Sequence, residues 1–144
     1  MINVIFISHG GFAEGLVDGA RMIVGESEGV MGIGLYPEDD IKVFTQKVTD
    51  ACVRMGEGAD AVLVLVDLFG ASPANAALNC LRPEIAAKVK IACIAGMNMP
   101  MALEALVNRE GLSAEELSAM LVEAGRAGVI DLKQAFQSVS AKDE

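Results

Sequence analysis

A single imidazole is available to this chain of 144 residues: His9, set between Ser8 and the pair Gly10-Gly11. Histidine titrates near neutrality, and its two ring nitrogens can take separate tasks. If a carboxylate accepts a hydrogen bond from one ring N–H, the tautomer is fixed and the other nitrogen is left as a nucleophile. Asp67 is the carboxylate placed for this, because it leaves an apolar run at 61–66 much as His9 leaves one at 3–7. Ser72-Pro73 adds a hydroxyl donor and a helix start, whose unpaired amides favour an anion. Gly10, Gly70 and Ala71 offer backbone without bulk beside these groups, while Asn98 and Phe69 fall on the rim of the same region. A nucleophile, a group to orient it and amides to hold an anion are the parts phosphoryl transfer needs.

Each residue also has an ordinary reading. A lone histidine at a strand end is often just a polar loop residue, and Asp67 could be a turn former or a helix cap. Ser72 is adequately explained as an N-cap before Pro73, and Asn98 as support for a turn before Pro100. These readings weaken together, because separate loops supply all four residues at one edge of the expected sheet.

Other chemistries fit less well. Cys52, Cys80 and Cys93 are odd in number and form no Cys-x-x-Cys pair, and they fall on apolar helix positions or inside a strand, where burial is expected. With one histidine no zinc site is expected, and the residues imply neither a metal nor a cofactor. A Ser-His-Asp hydrolase could draw on Ser8 or Ser72, but no Gly-x-Ser-x-Gly elbow is present. The Gly-x4-Gly-Lys-Ser/Thr phosphate loop is also missing. A net charge of −9 argues against nucleic acid, which needs clustered Lys and Arg, although it suits encounter with basic proteins. The N-terminus lacks the basic flank and cleavage site of a signal peptide, and no apolar stretch approaches the ~18 residues of a membrane span. A cytoplasmic, soluble domain is the expectation.

The elements that must position these residues follow from hydrophobic period. Strands are expected at 3–7, 30–35, 60–66 and 90–95, with the third apolar on both faces like a central parallel strand. Helices are expected at 12–24, from Asp39 or Asp40 to about 55, at 72–81, at 101–107 and from the capping box Ser113-Ala-Glu-Glu116 to about 127. Residues 129–132 read as a short fifth strand. Strand alternating with helix predicts an α/β fold, an open, mainly parallel, doubly wound sheet. In the flavodoxin-like order 2-1-3-4, the first and third strands are neighbours, and His9 comes within reach of Asp67. One domain over 1–137 and a polar, mobile tail over 138–144 complete the expectation.

Phe6-Ile-Ser-His-Gly10, Val64-Leu-Val-Asp-Leu-Phe-Gly-Ala-Ser-Pro-Ala-Asn-Ala-Ala77 and Ala95-Gly-Met-Asn-Met-Pro-Met101 occur in order, followed by Ala124-Gly-Arg-Ala-Gly128. This set resembles the IIA component of the mannose-type sugar phosphotransferase system over about residues 1–135. The resemblance implies that His9 is the phosphorylated residue, receiving the group from the carrier protein HPr and passing it to a IIB component. IIB then phosphorylates a sugar entering through a IIC/IID permease. It implies that Asp67 orients His9, so that Nε2 carries the phosphate, and that the protein is a homodimer. The family's last, antiparallel edge strand is exchanged between subunits, and 129–132 is its counterpart. A chain of this length implies a separate IIB polypeptide. Phe69 and Ala71 lie where family members vary. The sugar is not chosen by such a domain. A phosphodonor subunit of a dihydroxyacetone kinase and a regulatory phosphohistidine module are the alternatives.

Overall fold

The computed structural model describes residues 1–143, with side chains through 140. Its frame is set by β1 (Ile2–His9) and β3 (Ala61–Val66), which pair in parallel from Ile2 opposite Ala61 to Ile7 opposite Val66. From Val4 to Ile7 in β1 and throughout β3 both faces are apolar and nearly solvent-free, as the centre of a sheet covered on both sides must be. β2 (Val30–Leu35) joins β1 and β4 (Ile91–Ala95) joins β3, giving four parallel strands in the order β2-β1-β3-β4. The expected order is therefore the observed one.

Period decides which side each residue faces. Val4, Phe6, Leu63 and Leu65 enter one core with α1 (Phe12–Val24), and Ile5, Ile7, Val62 and Val64 enter a second core with α2 (Ile41–Gly56). Helix α1 buries Ala13, Leu16, Val17 and Ala20, a three-and-four spacing that keeps one stripe against the sheet. Phe12 and Ile23, although apolar, are exposed, since the buried stripe is centred on Ala13 and Val17. Asp40 caps α2 by accepting from the amides of Lys42 and Val43. Its neighbour Asp39 accepts from Tyr36 N–H and supports the preceding turn.

α3 (Ser72–Asn79) and the single turn α4 (Pro83–Ala86) follow β3, and α5 (Met99–Asn108) and α6 (Ala114–Ala127) follow β4. The capping box at the start of α6 forms in both directions between Ser113 and Glu116. The last element differs from expectation. Among the described residues there is no fifth, antiparallel strand at 129–132; instead Leu132 begins α7 (Leu132–Asp143). Asp131 accepts from the Gln134 amide, so this segment starts a helix rather than adding to an edge. Residues 138–143, read as a polar tail, continue that helix, and Glu144 lies outside the described residues. No described helix is long and apolar enough to cross a membrane.

Candidate functional site

The register of β1 and β3 places the two residues of interest together. Val66 stands opposite Ile7, and the Asp67 amide donates to the Ile7 carbonyl at 3.2 Å, so the next side chain rises beside the end of β1. There Asp67 Oδ2 takes two hydrogen bonds from one residue. The His9 backbone amide donates to it at 3.0 Å, and His9 Nδ1 lies 2.7 Å from it. The double attachment fixes the position of the residue and the orientation of its ring. With Nδ1–H donating to the carboxylate, Nε2 is the nitrogen with a lone pair. The imidazole is 51% exposed and the aspartate 14%, so a shielded anion holds a ring that faces outward. Asp67 Oδ1 is buried and has no hydrogen-bond partner among the described residues.

The turn after His9 is made by glycine for a physical reason. Gly10 has φ +53, in the left-handed region, and a Cβ there would meet nothing within 4 Å, so the space above the turn is open. Its amide is not open, because it donates to the Leu35 carbonyl at 2.7 Å. Gly10 therefore contributes access rather than the anion-binding amide expected of it.

On the other side, Gly70 also has a positive φ, and it leads the chain into α3. Ala71, in extended conformation, is the N-cap; Ser72 is the first helical residue and Pro73 the second. Ser72 was expected to spend its hydroxyl as the cap, but the extended backbone of Ala71 makes the transition one residue earlier. The Ser72 hydroxyl and the amides of Gly70, Ala71 and Ser72 have no intramolecular acceptor or donor partner among the described residues. These amides lie at a helix start, where the peptide dipoles favour a negative group. Phe69, at 80% exposure, and Leu68 stand on the loop that leads there.

Asn98 has a different task. Its side chain accepts from the Met101 amide at 3.0 Å as the N-cap of α5 and donates to the Gly125 carbonyl at 2.9 Å. The oxygen thus caps α5 and the nitrogen ties it to α6, so both ends of the amide are committed. The cysteines lie around the second core: Cys52 and Cys80 are buried, while Cys93 is only partly so. Burial, reinforced by nearby Cys80, pushes the Cys93 thiol up to about 12, which removes it as a ready nucleophile. Two grooves, of about 450 Å³ against Val43 and Arg54 and about 550 Å³ against Cys93 and Val129, lie away from His9.

Two contributors are not apparent from residue type. Ser8 is wholly buried beneath the histidine, and its hydroxyl accepts from the Ala13 amide. Its position, one residue before His9 and just ahead of a helix whose own cap is Gly11, was the available signal. Arg109 is the second, a buried cation at the opposite end of the sheet. No periodicity marked it, because it lies in the turn after α5.

The sequence profile of the PTS system fructose IIA component matches residues 3–122. The mannose-specific EIIAB component of Escherichia coli K12 is 36% identical over 133 residues, covering 92% of this chain and 40% of that protein. The chain thus spans about two fifths of that relative's length. The fructose-specific EIIA component of Bacillus subtilis is 34% identical over 117 residues, covering 81% of this chain and 77% of the relative. Among solved structures, the PTS IIA protein associated with the fucose utilization operon of Streptococcus pneumoniae superposes with a TM-score of 0.81 at 27% identity, over 94% of this chain and 96% of that one.

Proposed function

The chain belongs to the mannose/fructose-type IIA family of the sugar phosphotransferase system, and from that premise we propose that it carries a phosphoryl group on His9 between two protein partners. The donor is phospho-HPr and the acceptor a IIB component of the same system, with the protein acting in the cytoplasm. The Nε2 lone pair attacks phosphorus as the donor's bond to phosphorus breaks, and the donor keeps that electron pair. Positive charge that builds on the ring is offset by Asp67 through Nδ1–H. The charge on the transferring phosphoryl oxygens is met by the amides of Gly70, Ala71 and Ser72 and by the Ser72 hydroxyl. In the return step toward IIB the same groups act in reverse.

The observation that carries this reading is the 2.7 Å contact of an outward-facing imidazole with a shielded aspartate. A half-exposed ring on a rim suits delivery to another protein. Incubation with HPr, its kinase and phosphoenolpyruvate is expected to add one acid-labile phosphate to the intact chain. A His9→Ala variant that still gained that phosphate would sink the assignment.

The reading extends to a homodimer. Among the described residues β4 pairs with β3 alone in the sheet, and it borders the groove that Val129 helps to line. Val129 and, following it in the chain, Ile130, Leu132 and Phe136 are exposed, an apolar set that a second copy of the chain would remove from water. Sedimentation at micromolar concentration is expected to give a dimer, and a Phe136→Glu, Val129→Asp double variant a monomer. A monomeric wild type overturns this part.

A further inference from the structure

We propose that Ser8 is a positioning residue for His9, setting the tautomer and direction of the imidazole through the backbone of the turn 9–11. The proposal rests on the phosphocarrier reading of His9. The Ser8 hydroxyl bonds to Gly10 and Ala13 rather than to Asp67 and lies fully inside the molecule, so it acts through its neighbours.

Helix α1 begins at Phe12 with Gly11 as N-cap, and glycine has no side chain with which to satisfy the first amides. The Ser8 hydroxyl does this from outside the helix, accepting from the buried Ala13 amide at 2.7 Å. The same hydroxyl donates to the Gly10 carbonyl at 3.3 Å. One oxygen therefore ties the end of β1, the crest of the turn and the first turn of α1 together. Around it the Gly10 amide is held by the Leu35 carbonyl and the His9 amide by Asp67. A Cβ on Gly34 would strike the Gly10 carbonyl, so the turn also rests on β2.

The consequence concerns the ring. Gly10 sits in a conformation open to glycine's wide backbone freedom, so the turn keeps its shape through these attachments rather than through local sterics. Remove the hydroxyl and the Ala13 amide loses its acceptor while the Gly10 carbonyl loses a donor. The turn then relaxes about Gly10 and Gly11, and the His9 ring leaves its 2.7 Å bond with Asp67. An imidazole freed from the carboxylate carries its proton on either nitrogen, and Nε2 is no longer reserved for attack.

The chain of 144 residues, labelled with nitrogen-15, tests this cleanly, because its one histidine gives an unambiguous pair of ring signals. Wild type, Ser8→Ala, Ser8→Cys and Ser8→Thr are compared for ring nitrogen shifts without phosphate, and for the rate of phosphorylation by phospho-HPr. Wild type is expected to show the Nδ1–H tautomer. Ser8→Ala and Ser8→Cys are expected to show averaged ring shifts and a kcat lower by roughly 10- to 100-fold, with KM for the donor unchanged. Ser8→Thr keeps the hydroxyl and is expected to retain both properties.

A folded Ala or Cys variant with wild-type ring shifts and rate overturns the proposal, leaving Ser8 as a helix cap alone. Should Ser8→Ala not fold, the Cys variant, similar in volume but weak in hydrogen bonding, decides the matter. A Thr variant that folds yet behaves like Ala overturns it as well, by assigning the effect to volume. If wild type takes no phosphate, the phosphocarrier reading falls, and the ring shifts still decide the role of Ser8.

Discussion

The two ends of the parallel sheet solve the same problem in opposite ways. At the carboxyl end of β1 the polar groups are gathered and turned outward: His9 is half exposed, and Asp67 holds it from below. At the amino end they are sealed. Arg109 is 5% exposed, and its guanidinium donates to the carbonyls of Glu28, Gly29 and Ile2, while the Ile2 amide donates to the Arg109 carbonyl. Burial lowers the Arg109 pKa, but a guanidinium remains charged, and no carboxylate lies within ion-pair distance of it among the described residues. It serves as a multiple donor that ties together three carbonyls from two segments, one of which, Gly29, also accepts from the Val4 amide. The contrast separates a cation tied into the backbone at three carbonyls, which suits structure, from a ring held through one nitrogen and open at the other, which suits the transfer proposed for it.

Removing the central residue at each end breaks this comparison most sharply. His9→Ala is expected to abolish phosphate uptake, read by intact mass, while leaving urea-unfolding stability within about 0.5 kcal/mol, as for other exposed positions. Arg109→Met is expected to do the reverse. Losing the donor to buried carbonyls should lower unfolding free energy by roughly 2–4 kcal/mol, with the folded fraction still transferring phosphate at the wild-type rate. If both variants lose stability equally, or both lose transfer, the two ends are not specialised as described.

Asp67→Asn sharpens the open end. The amide can still accept from Nδ1–H, but it brings no charge to offset the ring. Transfer is expected to slow by roughly 10–100-fold, as when a group orienting a histidine is altered, and rapid-quench kinetics would measure it. A wild-type rate would show that orientation alone suffices. Gly34→Ala is the smallest of the four. Its Cβ would press on the Gly10 carbonyl, costing roughly 1–3 kcal/mol by overpacking and slowing transfer as the turn shifts. Stability loss without any kinetic effect would separate the turn's packing from its role beneath His9.

Much of this was legible in residue order, and the omissions have particular causes. Strand and helix alternation, with the doubly apolar β3, required an α/β sheet, and the extents of β2 and α1 follow directly from period. The edge strand at 129–132 was misread because Val129-Ile-Asp-Leu132 has strand composition, whereas an Asp131 cap decides for helix. Ser72 was misread as a cap because Ser-Pro is a common helix start; only the backbone of Ala71 shows the cap one residue earlier. Asn98 was left open between rim and turn, and its hydrogen bond to Gly125, far along the chain, is invisible to any local pattern.

The sequence by itself determined the inventory: one histidine, an aspartate at the end of a buried strand, glycines where the turn needs them and signatures that mark the family. Those are properties of residue type and local order, which hydrophobic period and backbone sterics express without reference to distant chain. The tertiary structure decided which nitrogen of His9 meets Asp67, that the Gly10 amide is committed while Ser72 is not, and that Ser8 and Arg109 hold opposite ends of one strand. The bonds among these have partners chosen by the register of β1 against β2 and β3 or by chain laid across their ends, and that register exists only once the sheet has closed.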